Sequence, residues 1–406
     1  MDKTSVHQSD LLKEAAKTSA PAKKGNLLLR LIRTAQPISR TEIANRLGVD
    51  KSTVTENVKP LLASGVLREE TLQETGQGRR ARVLSLVSDR DYFIGVNLGV
   101  RHTQIGLTNL HGDVLEEAEF QTPPDAKTAL SLTRTEVENL IVKQPAGQTL
   151  RVIGVSVPGL TDISRRKIVY APNLDWRNID VAGAFQFDGS ITVIVENDAT
   201  AAAMYEARLK IHNSSDGLME NFILVRSGTG IGVGLVIGGE VYRGSGIGRG
   251  VAGEFGHMTI VAGGKPCVCG NRGCWEKYAS AASAASLYTG DRPLRPGDTM
   301  PRFVEIVSKA KNGETRAQRT LEKIGDYLGI GIANVIMGIG IPRVIISGRL
   351  VYGWDLIHEP LIKAIERSII GKTKGWSIER GEPAGAAIGG ALEVAVEEYL
   401  MHGINS

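Results

Sequence analysis

The chain has 406 residues, more than a single hydrophobic core accommodates, which indicates two or three domains. Hydrophobic residues make up 42% of it and charged residues 23%, a composition that excludes a disordered chain. The net charge of +4 is uneven, because residues 1–88 contain 15 Lys and Arg against 9 Asp and Glu, whereas the remainder contains 33 against 35. A basic end on a near-neutral body predicts a polyanion-binding module attached to a domain with a different partner.

The first residues are polar and mixed in charge, and they lack the apolar run of a signal peptide. The longest apolar stretch, YLGIGIANVIMGIGI at 327–341, is too short to span a membrane and predicts a buried helix. We therefore expect a cytoplasmic protein with no membrane partner. Thiols stay reduced in the cytoplasm, where clustered cysteines bind metal more often than they cross-link.

Residues 1–24 are predicted to form a flexible arm, and residues 25–88 have the pattern of a winged helix-turn-helix. Ser39 and Glu42 form an S-x-x-E capping box at the start of a short amphipathic helix, and Gly48 suits the end of that helix. A second helix follows after two residues, and small hydroxyls and a lysine on its polar face are suited to reading a DNA groove. The polar face consists of Lys51, Ser52, Thr53, Thr55 and Asn57.

Two strand-like runs follow, around a glycine turn that bears Arg79, Arg80 and Arg82. This arrangement predicts the wing of a winged helix, with arginines placed to reach phosphate or the minor groove. A small helical interaction domain with a solvated basic face is the alternative. The capping box, glycine stop, wing and local charge all favour DNA binding. The candidate DNA contacts are Lys51, Ser52, Thr53, Thr55, Arg79, Arg80 and Arg82.

From residue 92 the pattern changes to strand, glycine turn, strand. The scheme of YFIGVNLGVRHTQIGLTNLHGDVL (92–115) recurs in NFILVRSGTGIGVGLVIGGEVYRG (221–244), which predicts a duplicated α/β fold with a cleft between two lobes. The second turn contains Gly228, Gly230 and Gly232, which would let backbone amides approach an anion. Glycine-rich hairpins are also common as simple tight turns, so this signal alone is weak.

All three cysteines lie within eight residues, in the spacing C-x-C-x₄-C, and a histidine precedes the first by ten positions. His257, Cys267, Cys269 and Cys274 offer one nitrogen and three sulfurs, a set suited to tetrahedral zinc. Four protein ligands leave no open position for water, so we expect one structural Zn²⁺ per chain. The alternatives are a disulfide with one spare thiol, or three buried cysteines.

Four motifs, one of which contains the three cysteines, make the sequence similar to the ROK family of repressors, open reading frames and kinases, over nearly the whole chain. They are VENDATAAA (195–203), GEFGHM (253–258), CVCGNRGCWEKYAS (267–280) and VIISGRLV (344–351), in the family's order. The resemblance implies an α/β chain in which the winged helix-turn-helix precedes a two-lobed, actin- and hexokinase-like body. The implied boundaries are lobe one at 89–200, lobe two with the zinc loop at 201–383, and a C-terminal helix at 384–406 that returns to lobe one.

The resemblance also implies a sugar site in the cleft. Carboxylates and amides suit such a ligand because each can bridge neighbouring hydroxyls. Asp198 matches the general base of the family's kinases, and the alternative role for Asp198 is to cap the helix that follows. Zinc would fix the ring of His257 and leave its second nitrogen for a sugar hydroxyl. The implied effector-binding residues are Gly159, Asn197, Asp198, Glu254, His257 and Glu276.

The family's kinases have a D-x-G-x-T-K turn whose aspartate supports Mg²⁺. Here Asn97 replaces that acid and Arg101 replaces the small hydroxyl. Phosphoryl transfer depends on the metal and on positioning, so kinase activity is not expected.

We expect a sugar-responsive transcriptional repressor of carbohydrate-metabolism genes that is not an enzyme. Its expected partners are operator DNA, a sugar or sugar-phosphate effector, and further copies of itself in a homodimer or homotetramer. Two alternatives stay open. One is an ATP-dependent sugar kinase with a DNA-binding extension, and the other is a regulator whose vestigial pocket answers to a protein partner.

Overall fold

A computed structural model describes most of the chain, at residues 21–72, 81–143, 147–187, 191–213, 221–244, 251–290, 299–383 and 385–402. It divides into two compact units: Met1–Ser88, Ile211–Leu218 and Tyr399–Ser406 form unit 1, and Asp89–Lys210 and Met219–Glu398 form unit 2. Most of the predicted arm, together with Arg79 and Arg80, lies outside the described residues. None of the described helices has the length and apolar character that a membrane span requires.

In its described residues, unit 1 has helices followed by an antiparallel hairpin. The elements are α1 (Pro21–Ala35), β1 (Ile38–Ser39), α2 (Arg40–Leu47), α3 (Lys51–Ala63), β2 (Leu67–Leu72) and β3 (Ala81–Leu86). The strands form one sheet in the order β1-β3-β2. Ile43 of α2, Val58 of α3 and Leu84 of β3 are fully buried, so a single core joins the helix pair to the hairpin.

The ends of α2 match the sequence prediction. The Ser39 hydroxyl accepts a hydrogen bond from the Glu42 backbone N–H at 3.2 Å, which satisfies one of the unpaired amides of the first turn. Gly48 ends the helix in the left-handed conformation, with φ of 61°. The Glu42 carboxylate accepts from Arg46 at 2.8 Å, one turn further along the helix. Of the two residues of the predicted capping box, Ser39 is therefore the one that caps α2.

Lobe one of unit 2 is built on a mixed five-stranded sheet. Its elements are β4 (Asp91–Leu98), β5 (His102–Asn109), β6 (Val114–Gln121), α4 (Ala126–Val142), β7 (Thr149–Val157), β8 (Leu160–Thr161), β9 (Lys167–Ala171), β10 (Trp176–Asp180), α5 (Val181–Ala184) and β11 (Thr192–Asn197). The order is β11-β7-β4-β5-β6, with β4, β7 and β11 parallel and β4, β5 and β6 antiparallel. A second, smaller sheet has the order β10-β9-β8.

Lobe two repeats the arrangement of lobe one. Its elements are α6 (Asp198–Asn213), β12 (Phe222–Ser227), β13 (Ile231–Ile237), β14 (Glu240–Val241), α7 (Glu276–Ala279), α8 (Ala281–Thr289), α9 (Phe303–Lys311), α10 (Thr315–Ile339), β15 (Arg343–Gly348), α11 (Trp354–Glu366) and β16 (Ser377–Arg380), with short 3₁₀ turns at Glu254–His257, Arg349–Gly353 and Ile370–Lys372. The strand order is β14-β13-β12-β15-β16. As in lobe one, the first strand is central, with an antiparallel hairpin on one side and parallel strands on the other. The predicted duplicated α/β fold is confirmed.

Helix α6 and the last helix, α12 (Ala386–His402), lie directly against the two large sheets. A Cβ at Gly95 of β4 would stand 2.5 Å from the Leu392 backbone nitrogen of α12, and one at Gly232 of β13 would stand 2.6 Å from Ala199 Cβ of α6. Both contacts require glycine, because any side chain would push the helix off the sheet. This close packing fixes the position of the junction between β11 and α6, where the predicted ligand residues Asn197 and Asp198 lie.

Candidate functional site

A cavity of about 340 Å³ opens between the two lobes of unit 2. This volume lies at the lower end of the range for small-molecule sites. All six residues predicted to bind an effector line it: Gly159, Asn197, Asp198, Glu254, His257 and Glu276. The structure thus brings together residues that are up to 117 positions apart in the chain.

The junction of β11 and α6 presents Asp198 to the cavity. The Asn197 side-chain oxygen accepts hydrogen bonds from the backbone N–H groups of Ala199 and Thr200, at 2.9 and 3.1 Å, so Asn197 is the residue that caps α6. Its amide nitrogen donates to the Gly159 carbonyl at 3.0 Å. The alternative in which Asp198 caps the helix is therefore wrong, and the Asp198 carboxylate is available for another partner.

Gly159 is required by the backbone itself. Its φ is 118°, and a Cβ at this position would stand 2.4 Å from the Tyr170 carbonyl oxygen. Any other residue would clash there and would also be strained in this conformation. The loop after β7 can therefore lie flat along the wall of the cavity.

Three carboxylates make one end of the cavity acidic. Glu276 is buried, and its Oε2 occupies the space that a Cβ at Gly230 would need, at 2.3 Å. Burial, together with the negative charges of Asp198 and Glu276, raises the pKa of Glu254 to about 7. At least one glycine of the SGTGIG turn thus leaves room for the Glu276 side chain of the protein itself, whereas the sequence had suggested a bound anion held by backbone amides or a simple tight turn.

The predicted metal ligands converge beside this acidic end. The ligand atoms of His257, Cys267, Cys269 and Cys274 all lie within 4.8 Å of one another, so the cluster can hold one metal ion. The Cys269 and Cys274 sulfurs are 3.7 Å apart, far beyond a disulfide bond, and all three cysteines are free. The disulfide alternative is therefore wrong.

Backbone hydrogen bonds shape the loop that carries the thiols. The Cys267 N–H donates to the Asn271 carbonyl at 2.9 Å, and the Trp275 N–H donates to the Met258 carbonyl at 2.9 Å. Burial is the largest cause that raises the pKa of the Cys267 thiol. The donor set fits a bound cation, because a cation would favour the thiolate forms that burial alone disfavours.

The ring of His257 lies between the thiol cluster and the cavity, beside a direct contact in which the Cys267 thiol donates to the Glu276 carboxylate at 3.2 Å. Its Nδ1 is 3.6 Å from Cys267 Sγ, whereas its Nε2 is 3.7 Å from a Glu254 carboxylate oxygen. One ring nitrogen therefore faces the metal ligands and the other faces a cavity carboxylate. This is the orientation expected of a histidine that binds metal on one side and a ligand on the other.

The other end of the cavity contains the turn that differs from the kinase pattern. Asn97 is buried; its side-chain oxygen accepts from the Ser156 hydroxyl at 3.1 Å, and its amide donates to Gln104 at 3.3 Å. Arg101 is exposed on the turn that follows β4. A neutral amide thus occupies the position of the kinase aspartate, in a hydrogen-bond chain that continues from Gln104 to the Glu119 carboxylate at 2.9 Å.

Two further arginines line the cavity, and the sequence pattern did not identify them. Arg226 of β12 forms an ion pair with Asp198. Arg349 begins the 3₁₀ turn after β15. Both arginines lie next to glycine turns, which is the one sign in the sequence that they belong to the site. They are 123 positions apart in the chain, and the pairing of β12 with β15 brings them to the same cavity.

In unit 1, α3 presents its polar face to solvent. Lys51 and Ser52 are exposed and Thr53 and Thr55 are half-buried, while Val54 points into the core. The Thr55 hydroxyl donates to the Lys51 carbonyl at 2.9 Å. A hydroxyl that bonds its own helix can exchange that bond for one to a ligand.

Arg82 departs from the prediction that it lies on the wing turn. It lies within β3, opposite Thr71, and its guanidinium is 3.6 Å from a Glu69 carboxylate oxygen. The cross-strand register extends β3 back to residue 81, which places Arg82 inside the strand. Arg79 and Arg80 fall outside the described residues.

The geometry defines a class of protein in which a helix-turn-helix unit is joined to a two-lobed α/β unit with a polar cleft. Comparison with known families agrees with this description. The chain belongs to the ROK family, which it matches over residues 93–396, and residues 27–70 match a helix-turn-helix domain.

Individual relatives include both repressors and kinases. The chain is 33% identical to the xylose repressor of Bacillus subtilis over 337 residues, covering 82% of this chain and 83% of that protein. It is 30% identical to the glucokinase of Streptomyces coelicolor over 293 residues, covering 68% and 88%. The crystal structure of a ROK family transcriptional regulator, a homologue of the Escherichia coli MLC protein, superimposes with a TM-score of 0.75 at 24% identity, over 95% of this chain and 97% of that chain.

Proposed function

We propose that this protein is a sugar-responsive transcriptional repressor of carbohydrate-metabolism genes. Unit 1 binds operator DNA, and a sugar in the cleft of unit 2 changes that binding. The observation that carries the proposal is a helix-turn-helix match immediately before a ROK body that has a polar cleft. The similarity to a xylose repressor over 82% of the chain supports the same function.

The sugar is held between hydrogen-bonding groups of the two lobes. In this proposal the carboxylates of Asp198, Glu254 and Glu276 accept from sugar hydroxyls, and His257 Nε2 contacts a further hydroxyl. Charged acceptors form the stronger hydrogen bonds, and each carboxylate can serve two neighbouring hydroxyls. Asn197 and Gly159 complete the wall, with Asn197 acting mainly by holding the loop that contains Gly159.

The ion at the thiol cluster is one structural Zn²⁺. A nitrogen and three sulfurs suit zinc, and four protein ligands close its coordination. The chain uses this ion to fix the His257 ring and the loop that leads into Glu276, two residues after Cys274. When bound, the ion supplies rigidity to the cleft and no reaction chemistry.

Kinase activity is the competing function, and two features oppose it. Asn97 offers a neutral amide where Mg²⁺ requires a carboxylate, and that amide is already engaged with Ser156 and Gln104. Asp198, the counterpart of the general base, already engages one of its two carboxylate oxygens in an ion pair with Arg226 and is less available to accept a proton. The 30% identity to a glucokinase reflects the shared fold.

DNA is bound by a homodimer or homotetramer, in which paired recognition helices read two half-sites. The polar face of α3 enters the major groove, and the wing arginines contact the backbone or the minor groove. The contact residues are Lys51, Ser52, Thr53, Thr55, Arg79, Arg80 and Arg82.

The experiment that tests the function has two stages. A thermal-shift screen of full-length protein against monosaccharides, acetamido sugars and their phosphates identifies ligands, because a ligand of the native state raises the melting temperature. Operator affinity is then measured with and without each hit, beside an ATP-turnover assay on the same preparation. The proposal expects a sugar-dependent change in affinity and no turnover. Turnover that is lost in Asp198→Ala would establish the kinase instead.

A further inference from the structure

A second cavity adjoins the first cavity, which contains the six predicted effector ligands. Its volume is about 480 Å³, against about 340 Å³ for the first, and it lies within the size range of small-molecule sites. Asn173 of lobe one, together with Thr229 and Glu276 of lobe two, lines both cavities. Asn173 and Thr229 are exposed, so neither residue closes the boundary. A ligand bound in the first cavity can therefore continue into the second.

The charged groups of the second cavity come from the thiol loop and from α7. Lys265 and Lys277 both line it, and among its described lining residues Glu276 contributes the one carboxylate. Lys277 is half-buried, and its ammonium group has no ion-pair or hydrogen-bond partner among the described residues. An ammonium group offers three hydrogen-bond donors and no acceptor. This wall of the cavity therefore has donors to offer to a ligand.

The opposite character comes from the hydroxyls at the start of α8. The Ser283 hydroxyl donates to the Ser280 carbonyl at 2.8 Å, and the Ser286 hydroxyl donates to the Ser283 carbonyl at 3.2 Å. Both serines line the cavity, and with their protons engaged in the helix their oxygens retain lone pairs that can accept. The second cavity thus combines donors with acceptors.

This combination fits a sugar ring better than it fits an anion. A sugar hydroxyl donates one hydrogen bond and accepts others, so it can use the serine oxygens and Lys277 together. An anion only accepts, and it would face the serine lone pairs and the buried Glu276 carboxylate. Glu276 lies at the boundary of the two cavities, and one carboxylate can serve hydroxyls of two neighbouring groups.

We infer that the effector is an oligosaccharide of at least two rings. One ring lies in the first cavity, and the next lies in the second cavity against Lys277, Ser283 and Ser286. The link between the rings passes Asn173 and Thr229. This inference rests on the proposed function and specifies the class of its ligand. It accounts for a cavity that a single sugar ring in the cleft would leave to water.

The test is direct binding to the full chain by isothermal titration calorimetry, using matched pairs of ligands. The probes are xylose and xylobiose, glucose and cellobiose, and N-acetylglucosamine and diacetylchitobiose. At least one disaccharide is expected to bind about tenfold or more tightly than its monosaccharide, the gain that a few additional hydrogen bonds provide. Inorganic phosphate serves as a further probe for an anion site.

A variant that fills the second cavity assigns the preference to it. Ala282 is exposed at the start of α8 and lines the second cavity but not the first. Ala282→Trp should reduce the affinity for the disaccharide to about that of the monosaccharide, and should leave monosaccharide binding within about twofold. Ser131→Trp, at an exposed position of α4 outside both cavities, is the matched control and should change neither.

A second variant removes the donor without filling the space. Lys277→Met keeps an unbranched side chain but loses the ammonium group, so disaccharide binding should weaken about tenfold, as expected for a lost charged hydrogen bond. Zinc content and melting temperature are measured for each variant. A loss of disaccharide affinity with both of these unchanged assigns the effect to the cavity.

Three outcomes would overturn the inference. Disaccharides that bind no more tightly than their monosaccharides would leave the second cavity to water. Tighter disaccharide binding that Ala282→Trp does not change would place the second ring elsewhere. Phosphate binding that depends on Lys277 would make the cavity an anion site.

The proposed function fails separately from this inference. A monosaccharide that alters operator affinity would preserve the proposed function even if no disaccharide bound more tightly. Disaccharide binding that Ala282→Trp abolishes, with no effect of the disaccharide on operator affinity, would instead support the second cavity as a site and reject the function.

Discussion

At the residue scale, the sequence could not show which of Asn197 and Asp198 caps α6 and which has its side chain free for another partner. Either residue can cap a helix, and both were predicted to contact the sugar. The structure assigns the cap to Asn197, whose oxygen accepts from two backbone amides, and pairs Asp198 with Arg226. The pairing depends on β12 lying across from the start of α6, a tertiary relation that no local spacing reports.

Replacing Asn197 should therefore destabilise unit 2 as well as change the cleft. Asn197→Ala removes the cap of α6 and the hydrogen bond to Gly159, and a lost cap costs about 1 kcal/mol. We expect a free energy of unfolding lower by about 1–2 kcal/mol, measured by urea denaturation with tryptophan fluorescence. Asn139→Ala, at an exposed position of α4, is the control. Equal stability of the two variants would contradict the assigned cap.

Restoring the kinase acid should not restore a kinase. Asn97→Asp returns the carboxylate, but Arg101 still occupies the turn and Asp198 still pairs with Arg226. We expect no ATP turnover in a coupled assay with glucose or xylose, and no change in operator affinity. Measurable turnover by this variant would mean that one side chain separates this chain from its kinase relatives.

At the element scale, much of the fold was predictable. The repeated strand–turn–strand pattern marked both β4–β6 and β12–β14, and the equivalent order of the two sheets confirms the duplication. The ends of α2 followed from Ser39 and Gly48. The position of Arg82 within β3 could not be predicted, because it depends on the cross-strand register. The cysteine spacing predicted a cluster, and only the tertiary fold could show that His257 lies between that cluster and the cavity.

The metal loop provides the prediction at this scale. Purified protein should contain about one zinc per chain, measured by elemental analysis. Cys269→Ser should lose the metal and weaken sugar binding at least about tenfold, because His257 and the approach to Glu276 lose their anchor. Sugar-free operator binding should persist, since unit 1 has its own core. Full zinc content and unchanged sugar affinity in this variant would refute the structural role of the ion.

At the scale of the whole molecule, two compact units correspond to two proposed partners. The basic excess of residues 1–88 pointed to a polyanion, and this segment contains the helix-turn-helix match at 27–70. The relation between sugar binding and DNA binding is a property of both units together. Sequence motifs identify each site but carry no information on the energy that couples them.

DNA binding should depend on both the recognition helix and the wing. Thr53→Ala and Arg80→Ala should each weaken operator binding, and the arginine change should also reduce the salt slope by about 1, because one phosphate contact is lost. Fluorescence anisotropy across a salt series measures both effects, with Arg319→Ala as control. A truncated chain that began at residue 89 and bound operator as tightly as the full chain would disprove the assignment.

The central claim is that a ligand in the cleft controls DNA binding, and Glu254→Ala tests it most directly. A ligand shifts an equilibrium only by its difference in affinity between two states, so removing a ligand contact should remove the shift and leave the starting equilibrium intact. Glu117→Ala, an exposed carboxylate of β6 away from the cavity, is the matched control, and zinc content is checked in both variants. The measurement is operator affinity with and without the ligand found by thermal shift. The account predicts that Glu254→Ala binds operator like the wild type but no longer responds to the ligand, whereas Glu117→Ala responds fully. A Glu254→Ala variant that responds as strongly as the wild type would contradict it.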